Sequence, residues 1–332
     1  PVLLLANKNE IEEASWNLGE LESLGFGPAL PISAKQGEGM EELDERLHEI
    51  LPAGPTTARR LDPPILKLAF VGRMNAGKSS LVNAILQDER MIVSSVPGTT
   101  RDTVDVRFEH DGKAVVLIDT AGIRKERIVH DSVDFYAQRR AERAMRRADA
   151  SVLVLDSIAD VARLDRRIAG YALDHHHPLV IAANKWDLKT EDVTAKQFRK
   201  YLTQLLPGFR YSPVVFTSAV EATGLSNLLK TVWRLHEQAS TRVSTAQVNK
   251  VLDEAQTRRG PRPRYGKQGQ IFYGTQVATN PPTFVFFCND PELFDQSYMR
   301  YMENRFREHL PFAEVPLKFI LKPRERSESK NR

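Results

Sequence analysis

The feature that most constrains this chain is Gly72-Arg73-Met74-Asn75-Ala76-Gly77-Lys78-Ser79. These residues fit G-x-x-x-x-G-K-[ST] and lie between an apolar run, Leu66 to Val71, and a helix-forming stretch, Ser80 to Leu86. A strand, a glycine-rich turn and a helix in that order arrange backbone N–H groups and a helix N-terminus around a phosphate. Gly72 through Ser80 form the candidate cradle. Lys78 is expected to reach the β- and γ-phosphates, and Ser79 to ligate Mg²⁺.

Three further elements follow in order. Asp119-Thr120-Ala121-Gly122 comes after the apolar run Ala114 to Ile118. A carboxylate at a strand's C-terminal end can hold Mg²⁺ directly or through water, and Gly122 lets a backbone N–H approach the γ-phosphate. Asn184-Lys185-Trp186-Asp187 ends a buried-strand pattern at Leu179 to Ala183. An aspartate accepts two hydrogen bonds from guanine N1 and N2, a pair that adenine does not offer. A site built on such bonds strongly rejects a base lacking them. The Lys185 stem can lie over the base, and Ser218-Ala219 can offer backbone contact to the guanine oxygen. Singly, each element is also an ordinary strand-end turn. Their order predicts GTP or GDP with Mg²⁺.

An internal repeat sets the organisation. Val2 to Lys8 reads like Leu179 to Lys185, and Leu30-Pro31-Ile32-Ser33-Ala34 reads like Val215-Phe216-Thr217-Ser218-Ala219. Amphipathic helices are expected after each, around Met40 to Leu51 and Leu225 to Glu237. Residues 1–51 therefore read as the C-terminal part of a first copy, and the Pro/Gly-rich 52–65 as a linker. Residues 66–239 read as a complete α/β domain with a mostly parallel, doubly wound sheet. Residues 240–323 read as a small α+β domain. It has a helix at Val243 to Thr257, strands at Gln270 to Val277 and Thr283 to Asn289, a helix at Gln296 to His309 and a strand at Val315 to Leu321. The polar 324–332 reads as a disordered tail. The chain starts at Pro1 rather than Met, which suggests a fragment or a processed product.

Composition excludes some classes. Hydrophobic residues make up 41% of the chain, charged residues 27%, and there is one cysteine, Cys288. No apolar run approaches membrane-spanning length, and a single cysteine excludes an intramolecular disulfide. Net charge is +4, while Thr241 to Arg332 holds 16 Lys/Arg against 10 Asp/Glu. A basic C-terminal part suggests a polyanion partner. Arg258, Arg259, Arg262, Arg264 and Lys267, with Tyr265 among them, are the candidate RNA contacts; a solvated loop is the other reading. His175-His176-His177 reads as a surface turn.

Together these motifs resemble the translation-factor-related GTPases. The tandem copy, Gly98-Thr99-Thr100-Arg101-Asp102, Asn75, and the stretch Gln276 to Val285 followed by Asn289 to Leu293 resemble the Der (EngA) family of ribosome-assembly GTPases. Tyr298 through Arg305 carries the likeness too, which spans essentially the whole chain. The resemblance implies a KH-like C-terminal domain. It also implies GTP hydrolysis and binding to the large ribosomal subunit and its rRNA, by a monomer and without membrane. Thr100, or its neighbour Thr99, would be the switch threonine on Mg²⁺. Asn75 would match the family's K⁺-ligating asparagine, or simply stabilise its loop. Lys78, Asn75, Thr100 and Gly122 would be the catalytic set. Ile123 stands where Ras-like proteins place a water-orienting Gln, so help must come from elsewhere.

Some residues depart from the pattern. Glu10 of Asn7-Lys8-Asn9-Glu10 stands where the guanine-reading Asp belongs. Met74 and Ala76 replace a family Pro and Val and are expected to affect packing only. Gly266-Lys267-Gln268-Gly269 in the basic loop has G-x-x-G spacing, but it is not read as a clamp of the usual KH type. Two competing readings are a nucleotide-gated RNA-binding scaffold and a tRNA-modification GTPase, the latter expected to carry a reactive C-terminal Cys. The compartment reads as a bacterial cytoplasm, a mitochondrial matrix or a plastid stroma.

Overall fold

The computed structural model describes residues 2–7, 25–33, 39, 42–43, 45–47, 65–87, 92–95, 105–120, 133–189 and 193–324. It divides into two compact units, Pro1–Pro63 and Pro64–Arg332.

In the first unit, β1 (Leu5–Asn7) pairs in parallel with β2 (Leu30–Ile32), with Leu5 opposite Leu30 and Ala6 opposite Pro31. The second unit contains the counterpart pair, β8 (Leu179–Asn184) and β9 (Val214–Phe216). There Ala182 lies opposite Val215 and Ala183 opposite Phe216, also in parallel. Aligned on Asn7 with Asn184 and on Ser33 with Ser218, the two registers are identical. Gly39 and Gly224 are equivalent as well, with φ of +71° and +76°. A Cβ at either would run into a strand carbonyl, that of Pro31 or of Phe216. The same backbone crossing thus demands glycine in both copies.

The second unit's large sheet adds β3 (Leu66–Val71), β4 (Ile92–Ser95), β5 (Val106–His110), β6 (Lys113–Ile118) and β7 (Ala150–Asp156). Its order is β4-β5-β6-β3-β7-β8-β9. From β6 to β9 all neighbours are parallel, and β5 runs antiparallel to both β4 and β6. All six residues of β8 are buried, as a strand covered on both faces requires. Helices α1 (Lys78–Gln87), α2 (Val133–Arg147), α3 (Arg163–Asp174), α4 (Ala195–Leu205) and α5 (Leu225–Ser240) accompany these strands. One face of the sheet joins α1 and α5 in one core, and the other joins α2, α3 and α4 in a second.

The C-terminal region has α6 (Thr245–Arg258), β10 (Ile271–Ala278), β11 (Thr283–Cys288), α7 (Gln296–His309) and β12 (Lys318–Pro323). β10 is antiparallel to β11, and β12 returns parallel to β11 through α7. Ser244 and Gln247 form a reciprocal capping box that starts α6. Val248, Val251, Leu252 and Ala255 line its buried stripe. Phe284 and Phe286 meet Phe306 of α7 edge-on, with ring centroids 5.2 and 5.5 Å away. The final strand begins at Lys318, not at Val315 as the sequence predicts. Val315 and Leu317 are buried outside the ladder, and Pro316 between them has no N–H to donate.

The α/β and C-terminal parts share one hydrophobic core and a polar seam. Arg234 of α5 holds both Glu314 carboxylate oxygens through Nε and Nη2, and Gln238 donates to Glu314 Oε2 at 3.0 Å. Glu314 N–H donates back to Gln238 Oε1 at 2.9 Å. Asn280 N–H donates to Ala239 O at 2.9 Å, and the Arg307 guanidinium lies 4.2 Å from the Tyr211 ring centre.

Two further details differ from the sequence expectation. His175-His176-His177 is not simply a surface turn: His177 Nε2 lies 2.8 Å from Ser151 Oγ, and burial pulls its pKa down to about 4. Met74 is 43% exposed, so unlike buried Ala76 it does not act by packing. Cys288 is buried, and burial pushes its thiol up to about 11, which suits a core residue and not a nucleophile. Among the described residues no helix is long and apolar enough to cross a membrane.

Candidate nucleotide site

The glycine-rich turn joins the end of β3 to the start of α1, at the C-terminal edge of the parallel strands, where open α/β sheets bind ligands. Asn75 has φ of +63°, Gly77 of +92° and Gly72 of +138°. Lys78 Nζ donates across the turn to Arg73 O at 2.6 Å, so the ammonium sits over the loop it closes. Arg73 N–H donates to Asp165 Oδ1 at 3.2 Å, and its guanidinium lies 3.9 Å from Asp165 Oδ2. Asp165 also accepts from Ala162 N–H at 3.1 Å at the start of α3. Burial raises the Asp165 pKa, while those backbone bonds and the charges of Arg73 and Lys78 oppose the rise. Ser79 and Ser80 follow in the first turn of α1, where the helix dipole favours an anion.

Asn184 links the glycine-rich turn to the segment Lys185–Asp187. Its side chain is buried, donates from Nδ2 to Ala76 O at 3.0 Å, and accepts at Oδ1 from Thr217 Oγ1 at 3.3 Å. The chain then turns through Lys185 at φ +61° into a 3-10 turn, Trp186–Leu188. Trp186 N–H donates to Thr217 O at 3.1 Å, and the indole packs on Phe198 and Phe216. This anchoring leaves Asp187 exposed. Lys185 Nζ donates to Asp156 Oδ2 at 2.8 Å, which fixes its stem. Ser218 is buried and bonded to Thr223 through both backbone groups, with Ala219 next to it. Lys78, Asn184, Asp187 and Ser218 therefore lie at or beyond the C-terminal ends of three parallel strands along one edge.

Asp119, at the end of β6, has φ of +60°. Its N–H donates to Asp105 Oδ1 at 3.1 Å, and its carboxylate is gripped by Arg140 of α2, at 2.9 Å from Nε and 3.4 Å from Nη2. Arg147, two turns further along α2, pairs with Asp105. Thr120, the next residue, is buried. Thr99, Thr100, Ala121, Gly122 and Ile123 lie outside the described residues. The sequence pattern did not point to Asp105, Arg140, Asp156, Asp165 or Thr217. Each meets its partner across 14 to 92 positions, and no local pattern announces such pairs.

The basic loop is exposed at Arg258, Arg259, Arg262, Arg264, Tyr265 and Lys267. Arg264 and Lys267 pair their backbones around Tyr265 and Gly266, whose φ values are +53° and +69°. That is the geometry of a tight two-residue hairpin turn. Tyr265 is 81% exposed at its tip. Two arginines are engaged locally: Arg264 donates to Glu292 O at 3.0 Å, and Arg259 lies over the Tyr301 ring.

Comparison with known proteins places this arrangement. Residues 67–185 match the family described as 50S ribosome-binding GTPase. Residues 242–322 match the KH-domain-like C-terminal region of EngA bacterial GTPase enzymes. A GTPase Der from Rhodopirellula baltica is 37% identical over 330 residues, covering 99% of this chain and 72% of that protein. The chain belongs to the GTPase Der family. The GTPase Der of Heliobacterium modesticaldum is 41% identical over 328 residues, covering 98% of this chain and 74% of its own. The G domain of the T. maritima FeoB iron transporter matches at 26% identity over 51% of this chain and 98% of its own, with a TM-score of 0.35. Der membership makes the chain a GTP-binding protein and a GTP hydrolase with a KH-like C-terminal domain.

Proposed function

We propose that the chain is a Mg²⁺-dependent, K⁺-stimulated GTPase that engages the large ribosomal subunit in assembly, through the phosphate backbone of its rRNA. One observation carries the nucleotide assignment: Asn184 bonds the glycine-rich turn and is followed by the guanine-reading Asp187. The phosphate and base ends of a nucleotide would thus share one buried junction. In this reading residues 72–80 and 119–123 hold the phosphates with Thr99 and Thr100. Residues 184–187 with Ser218 and Ala219 hold the base. Lys78, Asn75, Thr100 and Gly122 are the catalytic set. Ser79, Thr100 and Asp119 are hard oxygen donors suited to Mg²⁺, and Asn75 offers an amide oxygen to K⁺. The two ions, when bound, supply positive charge to the phosphate oxygens. In this reading 1–51, 66–239 and 240–323 are structural parts and 52–65 is a linker; the tail read as 324–332 starts after Arg324, whose N–H donates to Cys288 O at 2.8 Å. The protein is a monomer of a bacterial cytoplasm in this reading, in keeping with its bacterial relatives.

The K⁺ assignment is tested by hydrolysis in equal KCl and NaCl. The rate is expected to be roughly tenfold higher in KCl, a modest share of what an oriented charge contributes in an active site. Asn75 has φ of +63°, so Asn75→Gly removes the amide without straining the backbone and is expected to equalise the two salts. Equal rates in both salts for the unsubstituted chain would remove K⁺ from the reading.

The ribosome assignment rests on the 50S ribosome-binding match and the exposed basic hairpin. Backbone contacts release counterions, so large-subunit affinity is expected to fall steeply with salt. Replacing Arg258, Arg259, Arg262 and Arg264 with Ala is expected to weaken binding. It should flatten the slope of log K against log salt by somewhat under about one unit for each phosphate pairing removed. Because Arg259 and Arg264 also brace the loop, the variant's melting temperature is measured alongside. A folded variant with unchanged affinity and slope would return the loop to a solvated surface.

A further inference from the structure

We propose that Arg140 is a built-in competitor for the metal at Asp119, coupling occupancy of that carboxylate to helix α2. The inference rests on the assignment of Asp119 to Mg²⁺. Both Asp119 oxygens face the Arg140 guanidinium, at 2.9 and 3.4 Å. Asp119 is 12% exposed and Arg140 48%, so the pair sits at the rim, where solvent can release the arginine. The Asp119 backbone is held at φ +60° with its N–H on Asp105, so the residue is anchored at the end of β6 independently of Arg140. Asp105 in turn is held by Arg147, on the same helix. Arg140 and Arg147 stand seven residues apart, about two helical turns on one face. Both ends of this stretch are therefore pinned to neighbouring aspartates by ion pairs, of which only the Arg140 pair involves a metal-ligand candidate.

A divalent cation brought to Asp119, directly or through water, meets a carboxylate already neutralised by the guanidinium. Binding opens the Arg140 pair or shares the carboxylate at reduced charge. Arg147 stays on Asp105, so the helix is released from one pin and keeps the other. α2 then reports the state of Asp119, and Arg140 sets the cation concentration at which it does so. Half-exposed pairs are modest in strength, so the bias is a tuning of metal affinity and not a block.

The test is a Mg²⁺ titration of the dissociation rate of a fluorescent GDP analogue from the full chain. The proteins are the unsubstituted chain, Arg140→Gln, Arg140→Lys and Asp119→Asn. Arg140→Gln is expected to lower the half-maximal Mg²⁺ concentration by about 1.5- to fivefold, the range that a surface ion pair supports. Arg140→Lys is expected to stay near the parent. Hydrogen exchange over residues 133–147 is expected to rise with Mg²⁺ in the parent and to be insensitive in Arg140→Gln. If Asp119→Asn leaves the Mg²⁺ dependence intact, the metal assignment itself fails. If Asp119→Asn abolishes it while Arg140→Gln leaves the midpoint unchanged or raises it, Arg140 is not a competitor and the inference is overturned.

Discussion

Asp187→Asn is expected to lower GTP affinity by about 2–4 kcal/mol, the cost of leaving charged and buried hydrogen-bond partners unmatched. It is also expected to admit xanthosine triphosphate. Xanthine carries an oxygen where guanine carries its exocyclic amino group, so an amide donor suits it and a carboxylate does not. The fold gives this test a clean background. The 3-10 turn is anchored by Trp186 N–H on Thr217 O and by the indole against Phe198 and Phe216, none of which involves the Asp187 side chain. The melting temperature without nucleotide should therefore be unchanged, and the deficit should appear only in binding. Competition by GTP, ATP and xanthosine triphosphate for one fluorescent nucleotide measures it. ATP competing equally with GTP on the unsubstituted chain would refute the base-reading role of Asp187.

Gly77→Ala is expected to damage stability and nucleotide affinity together. A non-glycine residue at φ +92° costs about 1–3 kcal/mol in strain. The added Cβ would also collide with Asn184 Nδ2. To escape, Asn184 must leave Ala76 O, which strands polar groups in the core at about 1–3 kcal/mol. The melting temperature should fall by roughly 5–10 °C on a domain of this size. GTP affinity should fall by at least about 100-fold, because the amide-lined cradle loses its shape. Gly112→Ala is the control. Gly112 has φ of +73°, and a Cβ there meets nothing within 4 Å. It isolates strain of about 1 kcal/mol, and its GTP affinity should match the parent. If the two variants behave alike, the Gly77–Asn184 contact does not couple phosphate to base.

Much of the fold was legible because its signals are local. Leu66–Val71 reads as a buried strand from its apolar run, and Gln296–His309 as a helix from its periodicity, and both have those bounds. The repeat went further: equivalence of Asn7 with Asn184 and of Ser33 with Ser218 implied one strand pairing, and the two registers agree. The final strand starts three residues later than its apolar pattern suggests, at Lys318 and not Val315. An alternation of apolar residues marks a buried segment but does not say where the ladder begins. His175 and His176 form the turn that the polar triplet suggests, but nothing local shows that His177, just past it, bonds Ser151 on β7.

What the sequence determined by itself is the ligand class. The residue types proposed to cradle a phosphate, accept from guanine and offer oxygen to a cation are chemical identities, and they stand along the chain in order. The tertiary structure alone decided how those groups are held. Asn184 reaches Ala76 across 108 positions, Asp165 braces the turn from 92 positions away, and Arg140 takes the Asp119 carboxylate from a helix. It also fused the α/β and KH-like parts through Glu314 and Asn280 into one core. Such contacts depend on where a sheet and its helices bring distant side chains. Periodicity and motif spacing act over a few residues, so they carry no record of them.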